Sequence, residues 1–205
     1  MALSTYSDLQ AAVASWNFGR TDLPVTDIIT LAETRLNGDL RVRQMMGRAT
    51  ATISDEYSAL PSDLFSVISF VVGERQLIAV QDPAMDPTSD SEGEPIYYAI
   101  VGDEFRYYPP PDTDYTSTLT YWQRIPALSD SNTSNWVLAS YPDAYLAACM
   151  VEGALYVMDA NLAQMWEPRY QSAIAAITRA NGAALRTPLR TNIPDQPRYN
   201  VNVGY

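Results

Sequence analysis

Carboxylates, tyrosines and arginines are the side chains through which this 205-residue chain could do chemistry. It contains no His, none of its 13 basic residues is Lys, and Cys149 is its single Cys. Those absences exclude a His general base, Ser/His/Asp and Cys/His triads and His metal ligation. They also exclude a P-loop lysine, a Schiff base, a disulfide framework and a thiolate zinc site, and no cofactor is implied. The catalytic route left open is a pair of carboxylates flanking a scissile bond, as in a glycosidase. Asp103 and Glu104 beside Tyr107 and Tyr108, or Asp112 and Asp114 beside Tyr115, are the candidates. Acidic residues at hairpin tips are expected for backbone reasons, and nothing in the spacing fixes a carboxyl separation or raises a carboxyl pKa. The turn reading therefore outweighs catalysis. The Tyr supply could form a carbohydrate-binding platform, but strands and interfaces use Tyr as heavily because its ring buries while its hydroxyl stays wet.

Charge narrows the classes further. With 24 acidic residues the formal net charge is -11, and a basic face able to neutralise phosphates is not expected. The charged fraction of 18% lies below the roughly 25% of ordinary soluble domains, which suits a surface that is partly covered. Arg35, Arg41 and Arg43, with Arg48, cluster around the end of a predicted second helix. A helix C-terminus favours cations, while the planar guanidinium also suits interface pairing with carboxylates, carbonyls and phosphates, so both readings stay open. Cys149 reads as a small core residue, and a lone Cys suits a reducing compartment. Met1-Ala2-Leu3-Ser4 lacks a basic region followed by an apolar run, so neither a signal peptide nor a membrane span is expected.

The elements that must position these groups follow from periodicity. Tyr6, Leu9, Val13 and Trp16 recur at helical spacing behind a Thr5-x-x-Asp8 capping pattern, with Gly19 as the stop. A second helix after Pro24 presents Ile28, Leu31, Ala32, Leu36 and Leu40, is capped near Thr26 or Asp27, and is expected to end at Gly47. From Arg48 to Ala139 the composition turns to Val, Ile, Thr, Tyr and Phe broken by Pro, Gly and Asp, which predicts antiparallel strands. Phe65 to Val72 and Gln76 to Val80 flank Gly73-Glu74, and Ile96 to Val101 and Phe105 to Tyr108 flank Gly102-Asp103, giving two tight hairpins. Thr116 to Gln123 supplies a further strand, and Asp82 to Glu94 reads as a solvated acidic loop. A helix starts at Tyr141-Pro142-Asp143 with Tyr145, Leu146, Cys149, Leu155 and Tyr156 as its buried face. A last helix, capped by Asp159 or Asn161, runs through Leu162, Trp166, Tyr170, Ile174 and Ile177 to Asn181-Gly182, with Pro168 kinking or splitting it. Beyond it lies a Pro-punctuated segment with Arg186, Arg190 and Arg198, whose end, Tyr199-Asn200-Val201-Asn202-Val203-Gly204-Tyr205, alternates like a strand.

The fold expected is α+β: a small helical bundle from the N- and C-terminal helices (residues 1–47 and 140–182), an inserted antiparallel β domain (48–139) and an extended C-terminal arm (183–205).

The order of parts resembles the head-tail adaptor (connector) proteins of tailed bacteriophages. The resemblance begins at Tyr6-Ser7-Asp8-Leu9-Gln10-Ala11-Ala12-Val13-Ala14-Ser15-Trp16 and Ile28-Ile29-x-Leu31-Ala32-Glu33-x-Arg35-Leu36. It continues through Leu60-Pro61-Ser62-Asp63-Leu64, Tyr121-Trp122-Gln123-Arg124-Ile125-Pro126-Ala127-Leu128 and Asn135-Trp136-Val137-Leu138. It ends in Tyr141-Pro142-Asp143-Ala144-Tyr145-Leu146, Val151-Glu152-Gly153-Ala154 and Trp166-x-x-Arg169-Tyr170, where Pro168 departs from the pattern. The resemblance implies a non-enzymatic virion protein at the head-tail interface, assembled in the host cytoplasm as a ring, commonly dodecameric, beneath the portal protein. Its implied partners are the portal, neighbouring adaptor subunits and tail or nozzle proteins, with DNA passing through unbound and no membrane. Under it Arg186, Arg190, Arg198, Tyr199, Val201, Val203 and Tyr205 would dock the arm on the portal by strand addition. Arg35, Arg41 and Arg43 would make ring or portal contacts, and Asp82, Asp86, Asp90, Glu92 and Glu94, with Asp103, would line the channel and repel DNA. A carboxylate-based glycosidase or carbohydrate-binding tail component is the alternative, and an adhesion or capsid-decoration module a third reading.

Overall fold

The structure, a computed structural model, describes residues 3–17, 22–81 and 91–185. Gly19, Asp82, Asp86, Asp90 and the segment from Arg186 to Tyr205 lie outside them.

Helix α1 (Tyr6–Trp16) starts where expected, with the Thr5 hydroxyl accepting from the Asp8 amide and the Asp8 carboxylate accepting from the Thr5 amide. Helix α2 (Val25–Asp39) is flush with the same core, but its boundaries and face differ from expectation. Pro24 occupies the cap position and no side chain caps it. The helix stops at Asp39 rather than Gly47, because Leu40 is extended and a 3-10 turn (Arg43–Met45) leads directly into strand β1 (Met46–Ile53). Its inner face carries Ile28, Ile29, Ala32, Glu33 and Leu36, while Leu31 is exposed.

Helix α4 (Pro142–Tyr156) is the centre of the bundle: Ala144 through Val151 are all buried. Its run of Ala, Cys and Gly lets α1, α2 and the long α5 (Ala160–Leu185) approach closely. A short α3 (Trp136–Ser140), capped by Asn135, precedes it, inside the stretch expected to be β. Pro168 does not split α5, which is one element of 26 residues. It also passes through the expected stop at Asn181-Gly182 and runs to Leu185. The core comprises Leu9, Val13, Ile28, Leu36, Tyr145, Tyr170 and their neighbours, each large apolar side chain contributing roughly 1.5–3 kcal/mol on burial.

The turn joining α4 to α5 is a complete Schellman motif. Asp159 N–H donates to Ala154 C=O at 2.9 Å and Met158 N–H to Leu155 C=O at 3.1 Å. The left-handed position in it, which glycine usually fills, is held by Met158 at φ 57°. Leu155 and Tyr156, expected to be buried, are exposed beside it.

The strands form two four-stranded sheets. One has the order β1-β8-β3-β4, from β1, β3 (Leu64–Val72), β4 (Arg75–Gln76) and β8 (Tyr115–Gln123). The other has the order β2-β7-β6-β5, from β2 (Tyr57–Ala59), β5 (Ile78–Ala79), β6 (Tyr97–Val101) and β7 (Glu104–Tyr108). Both hairpins are present, each with a glycine at positive φ in its first turn position, Gly73 at 59° and Gly102 at 62°. The first hairpin is shorter than expected. Residues 76–80 do not form one strand: the chain changes sheets at buried Leu77, and β5 pairs parallel with β6. Phe70 packs against Tyr98, Phe105 and Tyr107 of the facing sheet, with ring centroids 4.8 to 5.9 Å apart, and closes a second core.

Candidate functional site

Three constellations of polar and aromatic groups stand out, and each is built where elements distant in sequence converge.

The first surrounds Glu33, buried on the inner face of α2. Its Oε1 accepts from the Tyr145 hydroxyl at 2.6 Å and from the Leu128 amide at 2.7 Å. Burial raises the Glu33 pKa, opposed by these two hydrogen bonds. Asn135 completes the network by donating to Pro126 C=O and to the Tyr145 oxygen, and one turn further along α2 Asn37 accepts from the Ile125 amide at 2.8 Å. These side chains satisfy the backbone of the irregular segment 125–128 where it leaves β8 and runs over the bundle. A buried carboxylate with a raised pKa can signal acid–base chemistry. Here the partners are amides and a phenol, Cys149 nearby is fully buried with its thiol pushed up by desolvation, and the arrangement fastens a loop to a helix.

The second is Arg35. Its Nε donates to Glu152 at 2.7 Å, its Nη1 to Glu167 at 2.9 Å, and its guanidinium lies 5.3 Å from the ring centre of Tyr170. Tyr170 in turn donates to Asp39 at 2.6 Å. One planar cation thus ties α2, α4 and α5 together, which a Lys could not do with the same fork. Arg41 donates to Asn37 C=O and Leu40 C=O at the end of α2 and sits 3.9 Å over the Phe65 ring of β3, joining bundle to sandwich. The Arg43 amide donates to Asn181 of α5.

The third is a groove of about 400 Å³ lined by Trp16, Asp143, Leu146, Ala147, Trp166 and Arg169, with small residues of α5. Trp16 is 51% exposed and meets Trp166 edge-on at 5.4 Å. The Trp166 indole N–H is buried and has no hydrogen-bond partner among the described residues. Arg169 lies 4.9 Å from the Trp166 ring centre and pairs with no carboxylate among the described residues.

Of the carboxylates weighed for catalysis, Asp103 lies in the β6–β7 turn and Glu104 opens β7 across from Val101. Asp112 accepts from the Tyr115 hydroxyl at 2.7 Å on the surface. Glu92 is exposed, and Glu94 stands 3.7 Å from Arg75 across the first hairpin. The structure therefore spreads the expected site residues over both cores and the surface rather than gathering them. Glu33 and the Trp16–Trp166 groove went unnoticed in the sequence. An i+3 to i+4 carboxylate among apolar residues was the available signal for Glu33, whereas the groove depends on helix packing alone.

Fold and polar groups together define an α+β protein whose buried polar groups fasten its own elements to one another. The family model of the SU10 adaptor protein matches residues 4–192, and the chain belongs to that family of phage head-tail adaptors. Adaptor families are a structural, non-enzymatic kind of protein, and membership implies a component of the phage particle. No curated protein matches the chain. Among the described residues, no helix is long and apolar enough to cross a membrane.

Proposed function

We propose that this chain is the head-tail adaptor that forms a ring beneath the portal, links it to tail components and leaves a channel through which DNA passes without specific binding. The observation that carries the reading is the family match over residues 4–192, which takes in both cores and reaches past the end of α5. Supporting it, many of the strongest polar interactions serve internal fastening: Glu33, Asn37 and Asn135 hold the segment after β8, and Arg35 ties three helices together. The helical bundle faces the portal in this reading, and residues 186–205 form the docking arm, with Arg186, Arg190 and Arg198 as anchors and Tyr199, Val201, Val203 and Tyr205 as the strand-adding face. Arg41 and Arg43, at the junction of bundle and sandwich, make ring or portal contacts, while Arg35 contributes by holding the bundle together. Acidic residues from Asp82 to Glu94 line the channel, where their field keeps DNA from the wall.

The experiment is assembly of the purified chain with the portal protein of the same phage, imaged by electron microscopy. A ring of adaptor subunits on one face of the portal is expected, and it should be lost when residues 186–205 are deleted. Unimpaired ring formation by the truncated chain would remove the arm from the account.

A further inference from the structure

The α4–α5 corner is the most exposed apolar feature of the bundle. Met158 is 92% exposed, and Leu155 and Tyr156 in the turn before it are each more than half exposed. Met158 occupies the left-handed position of a Schellman turn, where glycine would fit without the steric cost of a side chain. A large apolar side chain held in solvent at a backbone position that disfavours it points to a use outside the monomer. Next to it Asp159 Oδ1 accepts from the Leu162 amide, and its second oxygen has no partner among the described residues.

The groove on the same helical pair is complementary to this corner. It offers Trp16 and Arg169, which pairs with no carboxylate among the described residues. Its centre lies about 15 Å further along α5 at 1.5 Å per residue, so corner and groove are separate surfaces. Trp, Tyr, Met and Arg are the residues that dominate protein–protein contacts.

We infer that a second copy of this chain occupies the groove: Met158, with Leu155 and Tyr156, packs into it against the exposed part of Trp16, and Asp159 pairs with Arg169. Because the two surfaces differ, the contact is head-to-tail and either closes into a ring or runs on as a filament. The inference rests on the ring reading above and names the faces that would make it.

The test mixes two variants of the full chain, Met158→Cys and Ser172→Cys, the latter on the groove wall, with a short bis-maleimide. Cys149 is buried, which keeps the background low. The expected product is a heterodimer formed only in the mixture, with a yield reduced about fivefold or more by Arg169→Glu, since opposed charges at a contact set partner choice. A yield no higher than that of Met158→Cys mixed with Thr52→Cys, a position on the exposed face of β1, overturns the contact. Cross-linking of Ser172→Cys to the portal protein, with none between copies, assigns the groove to the portal instead and also overturns it. A ring on the portal in that case leaves the adaptor reading standing. Chains that cross-link through residues 158 and 172 yet never form a ring on the portal contradict the ring while upholding the contact.

Discussion

At the residue scale, the side chains that looked reactive are used for structure. Glu33 shows how the distinction can be measured. Its folded pKa is raised by burial, so its contribution to stability is fully present below the ordinary Glu value of 4.5 and is lost as pH rises through the folded value. Glu33→Gln keeps an acceptor for Tyr145 and Leu128 while removing the charge. Its stability relative to the native chain should therefore rise as pH increases from acid to neutral, read from urea unfolding at each pH. Glu33→Ala strands the Tyr145 hydroxyl and the Leu128 amide and should cost about 2–4 kcal/mol. A Glu33→Ala chain as stable as Glu33→Gln would show that the network holds nothing. The sequence could not display this role, because the partners of Glu33 lie 95 and 112 residues away. Apolar periodicity chose Leu31 for the inner face, and the packed helix turned it outward.

At the element scale, two glycines in adjoining elements should respond oppositely. Gly38, in the last turn of α2, has nothing within 4 Å of an added Cβ and no unusual φ. Gly38→Ala should stabilise the chain by about 0.5–1 kcal/mol. At Gly47 in β1 an added Cβ would come 3.0 Å from the Tyr121 ring, whose hydroxyl is held by Asp63. Gly47→Ala should cost about 1–3 kcal/mol, and thermal melts of the two variants moving in the same direction would refute this reading of the junction. Met158→Gly should raise the melting temperature, since it relieves a left-handed side chain at a cost of roughly 1 kcal/mol. The two hairpins were legible because a Gly-acid pair between apolar runs has few other uses. The sheet change at Leu77 was not, because residues on either side keep strand composition and only the facing sheet decides which partner each takes. Likewise α4 is buried on every side through its middle, so its stripe carried no information about Leu155 and Tyr156.

At the scale of the whole molecule, two cores are joined by contacts that include Arg41 over Phe65 and Asn37 and Glu33 on the segment leaving β8. The order bundle, sandwich, bundle was readable from composition, since period 3.6 gives way to period 2 and returns. Charge is unevenly spread, and every charged residue from Asp82 to Glu94 is acidic. The chain should therefore show no retardation of duplex DNA at low salt, and tight binding there would sink the repelling-channel reading. The central claim is assembly. Native mass spectrometry of the full chain mixed with its phage's portal protein measures it most directly. One closed ring with a fixed number of adaptor subunits per portal is the predicted result, and a chain that stays free and monomeric beside an intact portal would contradict it.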